Sequence, residues 1–138
     1  MSEPPADPAE NVVYLDVDDA LEIFGAIIGG TATQAADQLR DRAALAGALA
    51  RPINYAQYEN ADLALQAATL AHGIAETQPF IDGNKRAALV VMLTFLEING
   101  SRVQASDREL ADWIIAFSAG TSPHEVAEVV RARLTACG

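Results

Sequence analysis

The 138 residues amount to one domain, enough to bury a single core and too short for two ordinary domains. The composition, 51% hydrophobic and 20% charged, is that of a globular chain and not a disordered one. With 19 acidic against 9 basic residues the formal net charge is -10, which argues against non-specific binding to nucleic acid or an anionic membrane, since both need clustered Lys and Arg.

Any polyanionic ligand therefore has to be held by a local cationic pocket, not by the overall field. The lone cysteine, Cys137, excludes an internal disulfide and points to a reducing, cytoplasmic setting.

MSEPPADPAEN, residues 1–11, has neither a basic n-region nor an apolar h-region, so it is no secretory leader; with three prolines it reads as a disordered acidic tail. Residues 12–136 read as the single domain. The longest unbroken apolar run, Ala87 to Leu93, is far below the roughly 18 to 20 residues of a membrane span.

Val12 to Leu15 is a short β-prone stretch. From Asp16 the pattern turns helical: Asp16 or Asp18 supplies the cap, and Leu21, Phe24, Ile27 and Ile28 form a stripe that Gly29-Gly30 stops. A second helix is expected from about Arg40 to Ala50, ended by the Arg51-Pro52 step, because the residue before a proline is disfavoured in the α region.

ARPINYAQYEN, 50–60, breaks the helical rhythm and predicts an extended loop or short hairpin. Ala61 to about Glu76 is helical again, with Leu63, Ala67, Leu70 and Ile74 on one face and Asp62 in the first turn. From about Gly83 a helix stays apolar nearly all round until Asn99-Gly100 ends it, which suits the middle of a bundle.

Ser106 and Glu109 make a capping box for a helix striped by Leu110, Trp113, Ile114 and Phe117. Ser122-Pro123 opens the last helix, with Glu125 close behind. The expected fold is all-α: a compact bundle of five to seven helices with a short flap or hairpin segment before the central helices.

The chemistry concentrates in TQPFIDGNKRAAL, 77–89. A Gly-Asn turn feeding a helix N-terminus leaves backbone N–H groups without intrahelical partners, and the helix dipole adds about half a positive charge, so the place suits an anion. Gly83 lets the backbone approach a ligand closely, and Asn84 tolerates unusual backbone angles while offering an amide donor.

Lys85 and Arg86 follow at once, diverging by about a third of a turn, and are placed to clasp a phosphate from two sides. Lys85 is the only lysine among nine cations, which suggests that a compact ammonium is wanted there. Asp82 is either a hard oxygen ligand for a magnesium ion carried by a nucleotide or a plain N-cap. Pro79 and Phe80 shape and anchor the loop. A Walker loop is excluded, since no GxxxxGK[ST] occurs.

QPFIDGNKRAAL resembles the signature of the Fic/Doc (Fido) superfamily: His-Pro-Phe, any residue, Asp or Glu, Gly or Ala, Asn, then Gly-Arg in Fic proteins or Lys-Arg in Doc proteins. The Lys85-Arg86 pair, and Leu89 where Fic enzymes carry a second arginine, place the likeness on the Doc (death-on-curing) side. LAHGIAETQPF before the loop, FLEING and SDRELADW after it look similar too, so the resemblance covers roughly residues 14 to 135.

The resemblance implies a Fido fold and a toxin domain transferring part of a nucleoside triphosphate, ATP or another, to a hydroxyl of a target protein. In Fic proteins the transferred part is commonly AMP; Doc toxins move a phosphoryl group, with a translation elongation factor as the known kind of target. It further implies Asp82 as the magnesium ligand, Gly83 and Asn84 with the helix N-terminus as the phosphate site, and Lys85 and Arg86 as the groups neutralising charge on the transferred group.

Residues 51–59 match the flap that aligns the target as an added strand. The autoinhibitory motif, Ser or Thr four residues before Glu-Gly or Glu-Asn, is not apparent: Glu59-Asn60 has Tyr55 at that offset. A separate antitoxin is the expected partner.

One position departs. Gln78 stands where the catalytic His belongs, and a carboxamide accepts no proton near neutral pH, so a loss of about 10²- to 10⁴-fold is expected unless another group compensates. His72, six residues earlier, falls roughly 240° around a continuous helix and is expected to point elsewhere. Glu76 is a candidate substitute base. His124, in another helix, is given no reason to lie near.

Overall fold

The computed structural model describes residues 11–137, so the expected tail lies, Asn11 apart, outside the described residues. Seven helices follow in order among them: α1 (Val17–Ile27), α2 (Ala32–Asp37), α3 (Arg42–Glu59), α4 (Leu63–Thr77), α5 (Asn84–Ile98), α6 (Asp107–Ser118) and α7 (Pro123–Ala132). Two short strands, β1 (Ser101–Val103) and β2 (Leu134–Ala136), pair antiparallel with Arg102 opposite Thr135, and the fold is all-α apart from this clip.

Side-chain caps set the helix starts. Asp16, Thr31, Asp41, Asp62, Ser106 and Ser122 each accept the backbone N–H three residues on, which satisfies one of the donors a helix N-terminus leaves open. Asp16, not Asp18, caps α1, and the Ser106–Glu109 box forms as expected. These are local signals, three residues long.

The core gathers round α4, which packs on α3, α5 and α7. Every residue from Ala64 to Ala71 is buried, and the small Ala67, Ala68 and Ala71 let neighbouring backbones approach. The apolar α5 contributes Val91, Met92, Phe95 and Leu96, all almost fully enclosed. The central place expected of α5 is shared with α4.

Residues 51–59 are not a loop, hairpin or flap. They are the second half of α3, which runs through Pro52 to a left-handed Asn60 at φ 54°. An interior proline costs about 3 kcal/mol in a helix. Here Pro52 is buried on the same face as Ala48, Leu49 and Ala56, against α4, and that packing outweighs the local preference to stop.

The second helix also begins at Arg42 instead of Arg40, with Asp41 as its cap. The short α2 was not expected. Nor is Val12–Leu15 a strand: the Asn99 side chain takes the place of a partner strand, accepting the Val13 N–H at 2.8 Å and donating to the Val13 carbonyl at 2.9 Å.

Candidate functional site

The 77–89 stretch folds as the end of α4, a tight loop and the start of α5. Gln78 terminates α4 in the left-handed region, at φ 48° and ψ 62°, a conformation that disfavours non-glycine residues by about 1–2 kcal/mol. Arg40 holds it there. Its guanidinium donates to the Gln78 carbonyl through Nε at 3.1 Å and through Nη2, which also donates to the Thr77 carbonyl at 2.9 Å. A cation at a helix C-terminus is favoured by the unsatisfied carbonyls and the dipole together.

The backbone of the same segment adds to the clasp. The N–H groups of Arg40 and Asp41 both donate to the Pro79 carbonyl, at 2.7 and 3.0 Å, and the Ile81 N–H donates to the Gln38 carbonyl at 2.8 Å. Leu39 and Phe80 form a single antiparallel bridge. The segment bonded to the loop is therefore 38–41.

Phe80 anchors the loop as expected, stacked on Phe24 with ring centroids 3.9 Å apart. Asn84 then turns its amide inward: Oδ1 accepts the Phe80 N–H and Nδ2 donates to the Phe80 carbonyl, both at 2.9 Å. One Nδ2 proton is left for a ligand.

Gly83 sits at φ 79°, and its own N–H is taken by Asp82 Oδ1 at 2.8 Å. Asp82 does not cap α5; that helix begins on Gly83 with no side-chain cap at all. Its first N–H groups are left unmatched by any side chain, and Lys85 and Arg86 stand exposed beside them with no ion pair among the described residues. In a chain of net charge -10 this is a local cationic end.

A cleft of about 590 Å³ opens at the loop, lined by His72, Glu76 and Gln78 from the end of α4 and by Ile81, Asp82, Gly83, Asn84 and Lys85. Phe117 and Gly120 also line it. A second cleft, about 610 Å³, includes Phe24, Ile28, Gln38, Ile114 and Arg86, and shares Asp82, Gly83 and Lys85 with the first. All five residues 82–86 thus line a cleft.

His72 is a correction. It lines the same cleft as Gln78, because α4 ends at Thr77 and the left-handed turn at Gln78 breaks the continuous rotation on which the opposite expectation rested. Its Nδ1 lies 3.1 Å from Arg51 Nη1, and a guanidinium only donates, so Nδ1 is unprotonated and the neutral ring carries its proton on Nε2. Burial pushes the His72 pKa below its usual value, Glu76 opposing this and the Arg51 charge adding to it.

Arg51 Nη2 donates to Glu76 Oε1 at 2.9 Å, and Glu76 Oε2 is 3.7 Å from His72 Nε2. The Arg51 hydrogen bond holds the Glu76 carboxyl below the ordinary carboxylate range. His124 is elsewhere, bonded to Glu59 Oε2 at 3.1 Å between α7 and α3. The sequence reading missed Arg40 and Arg51. Nothing local marks either one, since their partners lie from 21 to 38 residues away.

Among the described residues no group of three or more His, Cys, Asp or Glu collects into a metal cage. Asp82 is a single exposed carboxylate beside an uncapped helix start and two cations. That donor set fits magnesium bound through one carboxylate with phosphates and waters completing it.

The Fic/DOC family model matches residues 14–96, which span α1 to α5 and the whole loop. The protein named Toxin Doc from Mycolicibacterium smegmatis (strain ATCC 700084 / mc(2)155) is 35% identical over 94 residues, 67% of this chain and 68% of that protein. A predominantly helical fold and both likenesses agree: the chain belongs to the Fic/DOC family.

Proposed function

We propose that this is a Doc-like toxin domain that transfers a phosphoryl or AMP group from a nucleoside triphosphate to a protein hydroxyl, at a rate reduced by Gln78. The observation that carries the reading is the α5 N-terminus, uncapped by any side chain and flanked by exposed Lys85 and Arg86, opening on a cleft large enough for a nucleotide. Gly83, Asn84, Lys85 and Arg86 hold the phosphates, and Lys85 and Arg86 neutralise charge on the transferred group. Asp82 holds a magnesium ion, which supplies further neutralising charge to the phosphates when bound.

Phosphoryl transfer through a loose transition state depends mainly on positioning and electrostatics, so a slow reaction remains open to a site lacking the usual base. The likeness to a protein named Toxin Doc supports a toxin role; a cytoplasmic setting, restraint by a separate antitoxin and a target in the translation machinery are further parts of this proposal. No helix among the described residues is long and apolar enough to cross a membrane.

The exposed carboxamide of Gln78 favours a second reading, a pseudoenzyme that binds nucleotide or a partner without transfer. Labelled ATP, magnesium and cell lysate, with wild type and Gln78→His in parallel, separate the two. Label on a protein with either form supports transfer; no label with both, together with nucleotide binding that Arg86→Ala weakens in calorimetry, supports the pseudoenzyme.

A further inference from the structure

We infer that the Glu76 carboxylate, fixed in the cleft by Arg51 and facing His72, takes the hydroxyl proton that Gln78 cannot take. The inference rests on the transfer reading and assigns the missing proton acceptor to this chain's own residue.

Three observations converge. Glu76 lines the same cleft as Gln78, Asp82 and Lys85, so acceptor and phosphate groups meet within one space. Its Oε1 is tied to Arg51 at 2.9 Å, which orients the group, while Oε2 lies 3.7 Å from His72 Nε2, beyond hydrogen-bond range, and keeps its lone pairs for a ligand. The side chain is 57% exposed, so a proton taken there passes to solvent.

His72 itself is not the acceptor, since Arg51 occupies its Nδ1 and its Nε2 carries a proton. The charged groups bordering Glu76 are Arg51 from α3 and His72 from α4, with Asp82 and Lys85 across the cleft; Phe117 and Gly120 bring none.

A carboxylate is base enough. In protein kinases an aspartate accepts the proton of the substrate hydroxyl, because the loose transition state asks little of the base. The acceptor oxygen forms a bond to phosphorus, and the bond from phosphorus to the bridging oxygen of the nucleoside diphosphate breaks, that oxygen keeping the electron pair. The hydroxyl proton moves to Glu76 Oε2. If AMP is transferred, pyrophosphate leaves and the proton follows the same path.

The test measures protein labelling by labelled ATP with magnesium and lysate for wild type, Glu76→Gln, Gln78→His and the double variant, with nucleotide affinity by calorimetry on each. Expected are a fall of about 10²- to 10⁴-fold in rate for Glu76→Gln with nucleotide affinity unchanged, and restoration in Glu76→Gln/Gln78→His. The wild-type rate should fall on the acid side as the carboxylate protonates, and the Glu76→Gln residual rate should lack that limb.

Labelling by Glu76→Gln within threefold of wild type overturns the inference, as does a double variant that stays inactive. A silent wild type beside an active Gln78→His overturns it while leaving the transfer reading intact. If neither wild type nor Gln78→His labels a protein, the transfer reading falls and this inference with it.

Discussion

Asn84 grips Phe80 by both of its backbone groups, accepting the N–H and donating to the carbonyl at 2.9 Å each. The grip closes a five-residue ring round Ile81, Asp82 and Gly83 and sets the direction in which α5 starts. Asn84 thus acts first as the builder of the loop, with its amide spent mostly inward. Asn84→Ala removes two hydrogen bonds worth about 0.5–1.5 kcal/mol each, so urea unfolding should show a loss of about 1–3 kcal/mol. Asn84→Asp keeps the acceptor and adds an anion where phosphate is expected. It should fold better than Asn84→Ala yet bind nucleotide at least about tenfold more weakly in calorimetry, a difference of about 1.4 kcal/mol.

Gly83 holds φ 79°, where a side chain is strained, and an added Cβ would rest 3.4 Å from the Phe24 ring, an ordinary contact. The penalty for Gly83→Ala is therefore backbone strain and not a clash. It should be about 1–2 kcal/mol, read as a lowered thermal midpoint. A variant as stable as wild type would show that the loop does not need its left-handed turn.

Arg40 secures Gln78 through main-chain carbonyls alone, so its loss should loosen the loop without touching the rest of the bundle. The Ile81 N–H, bonded to the Gln38 carbonyl, is the reporter. Arg40→Ala should speed its hydrogen exchange about tenfold, corresponding to about 1.4 kcal/mol, while α5 amides such as Phe95 hold their protection. Arg40→Lys should recover only part of this, since an ammonium lacks the planar fork that reaches both carbonyls.

Acid stability has an identifiable source at Asp62. Its carboxylate receives Arg131 Nε at 2.6 Å and Nη2 at 2.9 Å, and also caps α4 through the Leu65 N–H at 3.0 Å. The Arg131 hydrogen bond leads in holding its pKa below 3.8, so the unfolded chain binds this proton more tightly than the folded one. The stabilisation is complete above about pH 3.8 and is lost as pH falls through the lowered folded value. Asp62→Asn keeps a cap and removes the titration. Its unfolding free energy should vary less with pH between 5 and 2, by under about 1 kcal/mol because the pair is half exposed.

His72 adds the same sign at higher pH. Burial lowers its folded pKa below 6.5, so stability declines as pH drops beneath about 6.5 toward that lowered value. His72→Gln should flatten the unfolding free energy over that interval, as followed by urea titration at a series of pH values.

The helix caps and the glycine turn that starts α5 were legible in the sequence because each is settled within a few residues: a side chain meets a backbone N–H three positions on, or a glycine supplies a turn. The family is shown by a match over residues 14–96.

Tertiary structure alone decided the rest. Pro52 reads locally as a helix stop, yet packing of Ala48, Leu49 and Ala56 on α4 carries α3 past it, since burial over a whole face exceeds one lost hydrogen bond. Arg40 reaches the loop across 38 residues, and Arg51 meets His72 and Glu76 across 21 and 25. Such pairings depend on how helices are laid side by side, which no local pattern encodes. The loop's chemistry is written in TQPFIDGNKRAAL, but the groups that hold it and supply its cleft arrive only with the fold.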